Sequence, residues 1–304
     1  MLFRSRVAVE SVLEQSFRDW ELIIADDGSD TQTQAYLRTL EAPPRVRVLW
    51  LSHTGNPPAV RNVALREARG EYVAFLDSDD VWVPQKLAAQ IAPLRTGAAR
   101  AWNYTGFTLI DDTGSPLTGA RAKRYPPIDG WFLEPLLKGE PLIVQSSVVA
   151  RRELILEAGG YDEELPICGD YALWIRLARQ HEIGFVDAPL VLVRRHRQHY
   201  SDDIAGLEDL RRMWEKLQGT GLGHPLNSIL MERRAKAAAD LARAYALCSS
   251  RFRALGTLLA SLHYSWRYPV WWSGALGAAA RAIAPPSVLK AARRYRSGHR
   301  TQNG

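Results

Sequence analysis

Two acidic clusters stand where short apolar runs stop. Glu21–Ala25 (ELIIA) leads into Asp26-Asp27-Gly28-Ser29, and Glu71–Leu76 (EYVAFL) leads into Asp77-Ser78-Asp79-Asp80. Three carboxylates in four residues repel one another unless a cation or solvent neutralises them. Such an oxygen-rich group suits Mg2+ or Mn2+ bridging to phosphate oxygens, although a solvated helix N-terminus steadied by the helix dipole accounts for the same string. DDGS by itself reads equally as a strand cap and turn. Asp170 follows a glycine and opens an apolar stretch with Trp174 and Leu177, a place where a helix N-cap explains it. His196, within Arg194-Arg195-His196-Arg197, is open to three readings: metal ligand, phosphate contact or solvated basic residue. Arg61-Asn62, after Pro57-Pro58, fits an ordinary helix face.

The elements that must carry these residues follow from periodicity. Val7–Phe17 has helical spacing, ELIIA is a buried strand, and Arg45–Leu51 (RVRVLWL) alternates as a second strand. A helix over Ala59–Arg69, a strand over Glu71–Leu76 and a helix over Pro84–Leu94 complete an α/β pattern. It predicts a Rossmann-like, mostly parallel sheet with flanking helices, ligands lying at the carboxyl ends of its strands. Residues 98–141 read as less regular. Beyond them come a strand over Leu142–Ala150, helices over Arg152–Ala158 and Tyr171–Gln180, and one or two strands over Ile183–Val193. The predicted boundary puts an α/β domain at 1–204 and a helical, basic region at 205–304, with one long helix or a helical pair over Leu226–Leu262. Pro269 and Pro285-Pro286 then bracket an apolar stretch of 15 residues, VWWSGALGAAARAIA. That is too short for a membrane span and long enough to lie in a bilayer interface.

Composition narrows the class. The chain has 304 residues, 46% of them hydrophobic and 24% charged, which excludes a disordered chain. Two cysteines exclude a disulfide framework and a Cys-rich zinc module. No apolar run reaches the length of a span, and MLFRSRVAVE has no signal-peptide core, so a cytoplasmic placement is expected. The net charge of +6 is unevenly spread: residues 1–204 hold 23 Lys and Arg against 28 Asp and Glu, and residues 205–304 hold 16 against 5. A basic tail on a mildly acidic body points to a polyanionic partner.

Taken in order, ELIIADDGSD, PPAVRNVALREARGEYVAFLDSDDVWVPQKL, GGYDEELPICGDYALWIRLARQ and VRRHRQHYS resemble the family 2 glycosyltransferases over residues 7–202. That resemblance implies a GT-A fold and transfer of a sugar, with inversion, from a nucleotide-sugar donor to a hydroxyl of a glycan or lipid-linked acceptor in bacterial cell-surface polysaccharide synthesis. It puts Asp26 and Asp27 at the base and ribose, Arg61 beside the nucleotide, and Asp77-Ser78-Asp79 at the family's D-x-D, with Asp77 nearer the ribose. Asp79 and His196 would hold Mn2+ or Mg2+, and Asp170 would be the catalytic base. UDP is the commonest donor nucleotide in the family.

The sequence departs from the pattern in two places. The family's opening strand (V-S-V-I-I-P-x-Y-N) has no counterpart before the first helix, which implies an N-terminally truncated domain whose natural start lies upstream. Gly169 stands where many members have Glu. The basic tail, with Trp266, Trp271 and Trp272, reads as peripheral attachment at the inner face of the cell membrane, or as packing on the catalytic domain. The rival classes are an inactive or truncated GT-A-like binding protein, a nucleic-acid-binding protein stacking bases on the tail aromatics, and a nucleotidyltransferase. The dispersed basic residues argue against nucleic acid as a partner, and the lack of a Gly-rich phosphate loop with lysine argues against the last.

Overall fold

Turn residues and caps set the element boundaries. The computed structural model describes residues 2–42, 45–96, 100–117, 127–140, 143–195, 204–218 and 220–283, and the chain divides into two compact units, Met1–His199 and Tyr200–Gly304. The first unit opens with α1 (Leu2–Leu13), β1 (Leu22–Asp26), α2 (Thr31–Leu40) and β2 (Val46–Trp50). Asp30 caps α2 by accepting from the Thr33 N–H at 2.8 Å. The helix α3 (Pro57–Glu67) starts at Asn56, with the two prolines in its first turn, where their missing N–H groups cost nothing. Next come β3 (Tyr72–Ala74), β4 (Val81–Trp82), α4 (Lys86–Thr96), β5 (Trp102–Ile110), α5 (Leu133–Lys138), β6 (Val148–Arg151), α6 (Arg152–Glu157), α7 (Gly169–Ala178) and β7 (Gly184–Arg194).

The strands form two ladders. β1 and β2 pair in parallel, and a five-stranded sheet runs in the order β3-β6-β5-β7-β4. Within it β5–β7 is parallel, whereas β3–β6, β5–β6 and β4–β7 are antiparallel. The α/β architecture with flanking helices is as the sequence predicts, but the sheet is mixed rather than mostly parallel. Its central strand, β5, falls in the stretch that reads as irregular. Gly106 interrupts it at a register shift, where a Cβ would meet the Ala188 carbonyl oxygen at 3.2 Å. Trp102, fully buried on β5, stacks on Trp174 of α7 at 5.6 Å and lies 5.5 Å from Phe132, so strand and helices share one aromatic core.

The second unit is helical: α8 (Ile204–Leu217), α9 (His224–Leu247), α10 (Arg251–Ser265) and α11 (Pro269–Ile283). Over Leu226–Leu262, where periodicity suggests one long helix or a helical pair, the structure has the pair α9 and α10, and α11 covers the proline-bracketed stretch. Ser249 at φ 63° turns the chain between α9 and α10, and Pro269 begins α11. Its core is mostly alanine, with Ala239, Ala242, Ala275 and Ala278 around Trp271 and Tyr245. A Cβ on Gly274 would lie 2.9 Å from the Ala239 Cβ, so glycine is what lets α11 approach α9. Among the described residues no helix is long and apolar enough to cross a membrane.

Candidate active site

Asp26 and Asp27 end β1 and do different work. Asp26 is buried, and its carboxylate accepts from the Ser29 N–H at 3.3–3.4 Å, which is the strand-cap reading made real. Asp27 reaches across to the segment after β2, accepting from the Thr54 N–H at 2.7 Å, the Thr54 hydroxyl at 3.0 Å and the Gly55 N–H at 2.9 Å. Burial alone would raise its pKa, but these hydrogen bonds together outweigh it and hold the carboxyl below its ordinary value. Gly28, at φ 77°, permits the contact, because a Cβ there would sit 2.8 Å from the His53 Cβ. His53, Thr54 and Gly55 carry no chemical pattern in the sequence and emerge only from the fold.

The second cluster centres on Arg61. Its guanidinium donates to Asp77 Oδ1 at 2.6 Å and lies 5.7 Å from the Tyr161 ring centre. Burial would lower the Arg61 pKa, but the charges of Asp77 and Asp170, with Tyr161, raise it well above its ordinary value, so the cation is fixed. The three clustered acids are not equivalent. Asp80 is buried and turned inward, accepting from the Ser146 hydroxyl at 2.6 Å and the Arg194 N–H at 3.0 Å. Burial, then the charge of Asp77, pushes its carboxyl up to about 7. The Asp77 N–H donates to Ser146 Oγ at 3.0 Å, and Arg194 Nε donates to the Asp79 carbonyl at 3.1 Å. Asp80, Ser146 and Arg194 therefore brace the loop from inside, while Asp77 and Asp79 remain partly exposed on its outer side.

Asp170 is not an N-cap. Cys168 occupies that place without a side-chain cap, and Asp170 lies in the first turn of α7, accepting from the Tyr171 N–H at 2.7 Å. Partly exposed yet crowded by protein, its carboxyl is raised above the ordinary range by desolvation, against the pull of Arg61. Gly169 explains the proximity: a Cβ there would stand 2.8 Å from Pro58 Cγ, so glycine lets the starts of α7 and α3 meet. The Asp27 and Arg61 clusters are linked through the start of α3, where the Asn56 N–H donates to Thr54 Oγ1 at 3.1 Å. His196 lies outside the described residues. Among the described residues no group of three His, Cys, Asp or Glu is poised to hold a metal. Asp77 and Asp79 supply hard carboxylate oxygens, and one or two such ligands plus substrate phosphates are what Mg2+ or Mn2+ needs.

A family model for glycosyl transferase family 2 matches residues 6–115. A putative teichuronic acid biosynthesis glycosyltransferase, TuaG of Bacillus subtilis, is 41% identical over 110 residues, 36% of this chain and 43% of that one. Residues 6–115 of the chain thus carry the family 2 glycosyltransferase pattern. An uncharacterized glycosyltransferase of Rickettsia felis is 29% identical over 69% of this chain and 35% of its own length. The chain thus spans less than half the length of these two relatives. The UDP-Glc:alpha-D-GlcNAc-diphosphoundecaprenol beta-1,3-glucosyltransferase WfgD of Escherichia coli is 24% identical, with 73% of this chain and 83% of that one covered. Among solved structures, S. aureus TarS 1–349 in complex with UDP-GlcNAc superposes at a TM-score of 0.62 and 16% identity, covering 90% and 88% of the two chains. The Pyrobaculum calidifontis mannosyltransferase PcManGT, in complex with GDP-Man and Mn2+, does so at 0.57 and 17%, covering 93% and 82%. The fold of the chain is GT-A, with a helical region after it.

Proposed function

We propose that this chain is an inverting, metal-dependent glycosyltransferase. It moves a sugar from a nucleotide-sugar donor, UDP-linked, to a hydroxyl of a glycan or lipid-linked acceptor in bacterial cell-surface polysaccharide synthesis, at the inner face of the cell membrane. The observation that carries this reading is the Arg61 cluster, in which one fixed cation is shared by Asp77 of the acidic loop and Asp170 of α7. The names of TuaG and WfgD support the cell-surface setting and a lipid-linked acceptor, and the UDP-GlcNAc bound to TarS supports the donor class.

The chemistry follows from the charges. Cleaving the anomeric C–O bond leaves a nucleoside diphosphate, so positive charge must await it. Arg61 supplies a permanent one. Asp79, with His196, would hold Mn2+ or Mg2+, which when bound neutralises charge developing on the diphosphate. Asp26 and Asp27 orient base and ribose, with Asp77 near the ribose. Asp170, its proton affinity raised by desolvation, removes the acceptor hydroxyl's proton as that oxygen attacks from the face opposite the leaving group. No covalent nucleophile is required.

A thermal-shift titration with UDP, GDP, dTDP and CMP, each with and without Mn2+, tests the reading. A ligand confined to the native state at 100 times its Kd adds about 2.7 kcal/mol, so one nucleotide should raise Tm, and only with metal. Sugar transfer to a lipid-linked acceptor then follows that nucleotide. A cooperative melt that no nucleotide shifts refutes the donor site, and a shift without transfer leaves a binding protein.

A further inference from the structure

The second unit leaves a band of large apolar side chains outside its core. On α10 the buried positions are Ala254, Leu258, Ser261 and Ser265, and beside that stripe Phe252, Leu259, Leu262 and Trp266 recur at helical spacing with 93%, 72%, 41% and 52% exposure. On α11 the buried stripe is Trp271, Ala275, Ala278 and Ala282, and a second stripe beside it presents Trp272, Leu276 and Ile283. The two exposed stripes meet at the turn, where Trp272 Nε1 donates to the Trp266 carbonyl at 2.9 Å. Two amphipathic helices thus carry apolar residues beyond those their own core uses.

The charge around this band names its occupant. From Arg251 to Ile283 there are four arginines and no acidic residue, and five more basic residues and no acidic one follow in 284–304. Two copies of such a face would bring like charges together. An anionic surface with an apolar interior matches both properties, and tryptophans at the meeting of two helices are the side chains favoured at headgroup depth.

We propose that the outer faces of α10 and α11 form an interfacial lipid-binding surface, with Phe252, Leu259, Leu262, Trp266, Trp272 and Leu276 entering the boundary between headgroups and acyl chains of an anionic bilayer. This deepens the membrane placement in the proposed function by assigning it to residues, and its test uses no donor or acceptor, so it stands or falls apart from the transfer reaction.

The intact chain is sedimented with phosphatidylcholine vesicles and with vesicles that also contain phosphatidylglycerol, at low and high salt. The expected result is binding to the anionic vesicles that weakens but persists at high salt. Leu259→Ser combined with Leu276→Ser, both exposed, should lower the affinity about tenfold or more with an unchanged melt. Quenching of wild-type tryptophan emission by lipid-borne quenchers should accompany binding and needs no variant. Failure to bind anionic vesicles overturns the proposal. So does binding that the double variant leaves intact and high salt abolishes, which would be electrostatics alone. Self-association lost in the double variant, without vesicle binding, would make the band an interface between copies.

Discussion

At the scale of single residues, the acids of the candidate site differ in what surrounds them. Asp170 sits above the ordinary carboxylate range because desolvation outweighs Arg61, so the rate of transfer should rise with pH through a value above that range. Asp170→Asn should remove this inflection and lower kcat by about 10² to 10⁴-fold. A carboxyl raised on folding withholds stability once ionised, at pH above its folded pKa. The variant's Tm at neutral pH should therefore equal or exceed that of the parent. Asp80 behaves otherwise: Asp80→Ala strands the Arg194 N–H and the Ser146 hydroxyl and should cost about 1–3 kcal/mol in denaturant unfolding, whereas Asp80→Asn, which keeps an acceptor, should cost less. The sequence made both clusters and Asp170 legible because acids at strand and helix ends stand out. It could not tell Asp80 from Asp77 and Asp79. That distinction depends on Ser146, 66 positions away, and Arg194, 114 away. His53, Thr54 and Gly55 were invisible for the same reason, since their role exists only where the segment after β2 passes beside Asp27.

At the scale of elements, the site depends on how closely α7 approaches α3. Gly169→Ala puts a methyl group 2.8 Å from Pro58 Cγ. The resulting strain should cost about 1–3 kcal/mol in a denaturant melt, and pushing the helices apart should weaken the hold of Arg61 on Asp170. The pH inflection should accordingly move up along with the loss in stability. Trp102→Ala, in the stack with Trp174, should cost about 3–5 kcal/mol and test whether β5 anchors the sheet. Most strands beside the acidic clusters were readable from short apolar runs ended by turns. β5 was not, because Gly106 and neighbouring polar residues break its alternation. α2 was missed as well: its buried residues are only Thr33 and Leu37, too few to imprint a period on the sequence.

At the scale of the whole molecule, the chain divides into the units Met1–His199 and Tyr200–Gly304, and the second is the basic one. Hydrogen exchange with UDP and Mn2+ should slow the segments around Thr54 and Asp79 in the first unit and leave α9 unchanged; protection spread over α9 would contradict a donor site built from Asp27, Arg61 and Asp79 alone. The two ladders of the first unit have a further consequence. Asp27 follows β1 of the two-stranded ladder, Asp77 follows β3 of the five-stranded one, and these ladders share no strand pairing among the described residues. A donor that touches both acids is in effect a cross-link between two plates. With the base at Asp27 and the ribose at Asp77, a bound nucleotide would rivet the two plates together, so its stiffening should be felt by both ladders at once.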